Sequence, residues 1–160
     1  MKTNIPLLVL AALLASVAAT AAQLSPQDEA AAFRAAGFKQ QGQQWRLCDD
    51  PGTSSYTPGT IETVRDLNGD GRPEVVISEG STFCHGMTGM GYSLVSQQAD
   101  GSWKLMDSST GIPSFLDTKG TDGWPDIEVG GPGFCFPVVR WNGREYALHR
   151  QQYQGKPCQH

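Results

Sequence analysis

The sequence predicts a small, mostly β, antiparallel domain carrying one short N-terminal helix. Three observations lead there. Glycine (19) and proline (10) are abundant among the 160 residues, as in a turn-rich β protein. Asp100-Gly101 and Asn142-Gly143, both strong hairpin turns, stand between segments of strand composition. Helix start and stop chemistry is found at one place, near residue 30.

The elements follow in chain order. Residues 1–22 read as a secretory signal peptide. Lys2 supplies the charge, Ile5 to Val17 the apolar run, and Ala19-Thr20-Ala21 the small-residue cleavage site. The run is shorter than the roughly 20 residues that a membrane span requires. Residues 23–160 are then one domain, periplasmic or secreted, with no membrane insertion after cleavage. Ser25 can cap a helix, Pro26 fits its first position, and Asp28 and Glu29 suit its positive end. Ala30 to Ala36 propagates it, Gly37 ends it, and Phe33 is the residue expected to dock it.

Beyond Phe38 the chain reads as short strands with a faint internal repeat. The stretch from Gly69 to Ile77 aligns with Thr121 to Val129. A Phe-Cys pair follows each copy, Phe83-Cys84 and Phe134-Cys135. A strand, a polar-Gly turn and an aromatic strand come next: Tyr92–Gln97 with Trp103–Met106, and Val138–Trp141 with Tyr146–His149. Phe38–Gln41, turning at Gly42 into Trp45–Leu47, forms a partial copy. Two to three such blade-like units are too few for a closed propeller.

Asp66-Leu67-Asn68-Gly69-Asp70-Gly71-Arg72-Pro73-Glu74 carries the clearest chemistry. Oxygen side chains occupy the first, third and fifth positions, glycine the sixth and an acid the ninth. A tight turn aims such residues at one centre, and calcium accepts six to eight oxygens in a forgiving geometry. The expected ligands are Asp66, Asn68, Asp70, the Arg72 carbonyl and Glu74, with the Arg72 side chain directed to water. A helix–loop–helix site needs a bidentate Glu at position twelve, and Ile77 stands there. Pro73 and the run Val75-Val76-Ile77 indicate strand–loop–strand instead. The segment Ile61 to Ser78 resembles the calcium loops of FG-GAP/VCBS repeats, the blades of integrin-type propellers. That resemblance implies a structural calcium ion and a role in adhesion or recognition, with Glu74 in place of the more usual aspartate. In the second copy Thr118 and Gly120 replace the first two ligands and Trp124 replaces Arg72, while Asp122 and Asp126 remain. One working site and one loop held by packing are expected.

Cys48, Cys84, Cys135 and Cys158 form an even set in an exported chain, which implies disulfides. Three pairings are open. The repeat puts all four thiols at the end opposite the metal loop and narrowly favours Cys48–Cys84 with Cys135–Cys158. No Cys-x-x-Cys spacing supports structural zinc.

The formal charge is −4 with no basic stripe, which argues against nucleic acid and anionic membranes as partners. No nucleophile elbow, P-loop or zinc-protease motif is present, and Cys84-His85 makes a poor nucleophile–base pair, so no catalytic residues are assigned. The expected function is an exported, non-catalytic calcium-binding module for an unidentified protein or glycan of the cell envelope. The alternative is an inhibitor of an exported hydrolase such as a lysozyme or protease. Phe134 and Phe136, in the peptide Gly130 to Pro137, suit a rigid aromatic tip for a partner, or else a turn that plugs the core. Trp124 is the tryptophan expected to be exposed.

Overall fold

The computed structural model describes residues 24–159. The proposed signal peptide lies outside the described residues. The chain runs α1 (Pro26–Ala35), β1 (Lys39–Gln41), β2 (Gln44–Arg46), β3 (Thr57–Arg65), β4 (Glu74–Gly80), α2 (Thr82–His85) and β5 (Met90–Gln97). It continues with β6 (Trp103–Thr110), β7 (Ile112–Lys119), β8 (Pro125–Gly130), β9 (Phe136–Trp141), β10 (Tyr146–Tyr153) and β11 (Lys156–Pro157). The sheets are antiparallel, and none closes into a barrel.

Local chemistry accounts for α1. The Ser25 side chain accepts the Asp28 N–H at 3.1 Å, Pro26 opens the helix, and Gly37 leaves it at φ +89°. Phe33 is buried and stacks on Trp45 of β2, ring centroids 4.9 Å apart. Burying that side chain stabilises the dock by about 2–3 kcal/mol.

Two larger sheets form the body: β3-β4-β5-β6 (sheet one) and β11-β10-β9-β8-β7 (sheet two). Only Gly111 separates β6 from β7. Alternation along β4 decides which face each side chain joins. Val75 and Ile77, with Val95, pack under α1 and Phe38. Val76, Tyr92 and Leu94 face the other way and meet Trp124, Ile127, Val129 and Trp141 of the second half. That second cluster is the junction between the sheets. Lys104 over the Trp141 ring and Arg65 over the Phe115 ring span its rim, at 5.9 and 5.4 Å.

Both sheets share a detail of register. In β6, Leu105 opposes Val95 and Asp107 opposes Leu94, leaving Met106 as an extra residue. In β10, Leu148 opposes Val139 and Arg150 opposes Val138, leaving His149 extra. The two bulges fall at matching places in the two meanders.

Cysteines pair as Cys48–Cys84 and Cys135–Cys158, with Cα atoms 6.3 and 5.6 Å apart. Cys84 follows the end of β4 and Cys135 the end of β8, both remote from the loops that open those strands. The two ends meet, since a Cβ on Gly131 would lie 3.5 Å from Thr88 Oγ1. Buried acids brace this end. Glu79 accepts the Leu47 and Cys48 N–H groups, each at 3.0 Å. Asp50 accepts the Ser81 hydroxyl and the Gly52 and Thr53 N–H groups. Burial raises the Asp50 pKa, but these donors outweigh it and bring it down to about 2.

Candidate metal centre

Two loops open inner strands of the two sheets, residues 66–73 before β4 and 120–124 before β8. They abut. A Cβ on Gly123 would lie 2.6 Å from the Asn68 carbonyl oxygen, so only glycine fits there, and its φ of +76° independently favours glycine.

The first loop is wound by its own side chains. Asp66 accepts the Gly69 and Gly71 N–H groups at 2.6 and 2.9 Å, and Asn68 accepts the Asp70 N–H at 3.0 Å. Gly69 and Gly71, both at φ +84°, make the reversal. Burial raises the Asp66 carboxyl, and the loop amides more than compensate, holding it below the usual carboxylate range. Glu74, the first residue of β4, is fully buried between the sheets. One of its oxygens takes the Leu67 N–H at 2.7 Å and the other the Ser96 hydroxyl at 2.8 Å. Neither donor carries a charge. Burial, followed by the nearby charges of Asp70 and Asp66, pushes the Glu74 carboxyl above its ordinary value.

The Arg72 side chain is 38 % exposed, and its guanidinium also bonds Asp70 at 2.5 Å and the Gln97 carbonyl at 3.1 Å. Asp70 is the nearest anion, two residues back, and the turn brings both to one side. Among the described residues, no group of three or more His, Cys, Asp or Glu stands ready as a metal cage. The loop does hold hard oxygen donors of the right kind in the right order, and it leaves one buried carboxylate, Glu74, with no ion pair among the described residues. The donor chemistry is of the kind a hard divalent cation takes, with Asp70 engaged by Arg72 in this structure.

The second loop solves the same problem differently. Asp126 occupies the place of Glu74 and is equally buried. Arg140 grips it through two nitrogens, each at 2.8 Å, Arg150 adds a third bond at 2.9 Å, and Thr118 donates at 2.5 Å. Burial raises this acid, but the guanidinium and hydroxyl donors outweigh it and hold it well below the carboxylate range. The register explains the substitution. Glu74 lies opposite Ser96 on β5, and extending the β8–β9 register by one pair puts Asp126 opposite Arg140. Asp122 is exposed at φ +54° and has no bond to Asp126 in the hydrogen-bond network. Thus the second loop is held by ion pairs rather than by packing alone, and neither arginine was singled out in the sequence reading. Their separation of 14 and 24 residues from Asp126 hides them from any local motif.

The expected exposure of Trp124 is corrected. It is 6 % exposed and lies in the junction cluster with Trp141 and Tyr146, where it closes the 120–124 loop just ahead of β8. Phe134 is 62 % exposed and packs edge-on against Tyr153, while Phe136 is half-buried beside the same ring. Neither phenylalanine belongs to the two core clusters, so the core-plugging reading of this peptide fails.

No family model, no curated protein and no solved structure matches this chain. No described helix is long and apolar enough to cross a membrane.

Proposed function

We propose that this protein is an exported, non-catalytic binding module made of FG-GAP/VCBS-like units, and that its first loop holds a structural calcium ion. Asp66, Asn68, Asp70, the Arg72 carbonyl and Glu74 would hold it, and the ion would offset most of the charge of the three carboxylates, leaving about one negative charge in excess. The observation that carries this reading is the contrast between two equivalent buried acids. Asp126 has two guanidinium partners, whereas Glu74 has uncharged donors and two acidic neighbours. Burying a carboxylate without a counter-charge is costly, and calcium supplies one. Two disulfides support an oxidising compartment outside the cytoplasm. The partner is a protein or glycan of the cell envelope.

Calcium that binds only the folded chain at a hundredfold excess over Kd stabilises it by about 2.7 kcal/mol, or about 9 °C in Tm at this size. Melting in millimolar calcium against EDTA, with calorimetry alongside, is the test. Asp66→Ala with Asp70→Ala should abolish both the heat and the shift. Identical melting curves in calcium and EDTA would remove the reading.

A second reading, inhibition of an exported hydrolase, is favoured by the exposed Phe134–Tyr153 tip beside the Cys135–Cys158 bridge. Addition of the protein to lysozyme and protease assays separates the two.

A further inference from the structure

Leu67 sits between two of the loop's ligand residues and yet belongs to the core. Its N–H is held by Glu74 at 2.7 Å. Its side chain packs on the cluster formed by Val76, Tyr92 and Leu94 of sheet one with Trp124, Ile127 and Trp141 of the second half. The next carbonyl along the chain, that of Asn68, faces Gly123 of the second loop at close range. The loop therefore touches the other half of the molecule through a side chain and through its backbone.

We propose that calcium in the first loop acts as a clasp between the two sheets, with Leu67 as the positioning residue that transmits loop order to the junction. The inference rests on the calcium reading above and goes beyond it by naming what the ion controls. A cation shared by Asp66, Asn68 and Glu74 fixes the backbone on both sides of Leu67, and so fixes the leucine in the junction. Without the ion, Leu67 keeps its bond to Glu74, but the rest of the loop is held by hydrogen bonds that are largely exposed to water and open readily. The covalent link between the sheets is the single residue Gly111, and the two cation–π pairs lie at the rim. Coupling of this kind is reciprocal: an ordered junction must raise calcium affinity by the factor by which calcium orders the junction.

Hydrogen exchange of the full chain, with calcium and with EDTA, tests this alongside calorimetry. Calcium should slow exchange of the β8 and β9 amides by at least about tenfold. Phe33 and Phe38, on the opposite face of sheet one, should change less. Leu67→Ala should still bind one calcium ion, with weaker affinity, and should lose most of the added protection in β8 and β9. Leu67→Val serves the same purpose if the alanine variant does not fold, and should lose part of the gain. Calcium heat in the wild type with protection confined to residues 66–74 overturns the clasp and leaves the calcium reading standing, as does an undiminished gain in both Leu67 variants. No calcium heat in the wild type overturns both.

Discussion

The two loops confront one problem, a carboxylate buried at the start of an inner strand, and meet it differently. Sheet two answers with guanidinium groups of its own chain, Arg140 and Arg150 on Asp126. Sheet one puts Ser96 and Asp107 at the corresponding register positions and surrounds Glu74 with further acids. The faces differ for the same reason. The Glu74 face of sheet one is covered by sheet two and carries Val76, Tyr92 and Leu94. Among the described residues, no further sheet covers the Asp126 face of sheet two, which carries Glu128, Arg140, Arg150 and Gln152. A stack of sheets needs a polar outer surface on its last member. Long cationic side chains can provide that surface and neutralise a buried acid together, whereas a covered face has no room for them.

This contrast can be attacked at its strongest point first. Removing Arg140 and Arg150 together, as Arg140→Ser with Arg150→Ser, strands Asp126 as a buried lone charge. Urea unfolding should show a loss of about 3–5 kcal/mol that calcium does not restore, and adding Asp126→Asn should recover part of it. Rescue of the double variant by calcium would mean that the second loop retains a metal site. A pH titration is gentler. Asp126 and Asp50 are both held below the ordinary carboxylate pKa, Asp50 at about 2. Their stabilisation is therefore fully present above pH ~3.9 and is lost as pH falls through their folded values. The urea midpoint in EDTA should fall steeply below pH ~4, and Asp126→Asn should flatten that slope. The smallest effect belongs to Asp122→Asn. An exposed aspartate outside the Asp126 network should change stability by less than about 0.5 kcal/mol and leave calcium stoichiometry at one.

The sequence by itself determined what depends on near neighbours. Ser25, Pro26 and Gly37 bound the helix; Asp100-Gly101 and Asn142-Gly143 turn hairpins; Asp66 through Gly71 wind a loop by bonds that reach no further than five residues. The order of the strand segments narrowly favoured the cysteine pairing that the structure has, with three pairings open. β7 was not, because Ile112–Lys119 lacks clean alternation and carries Pro113. Tertiary structure alone decided that Arg140 and Arg150 meet Asp126 while Glu74 meets uncharged donors, that Trp124 lies inside, and that Leu67 belongs to the junction. Those outcomes depend on strand register and on which sheet face is covered, and both are settled only when residues far apart in sequence are brought side by side.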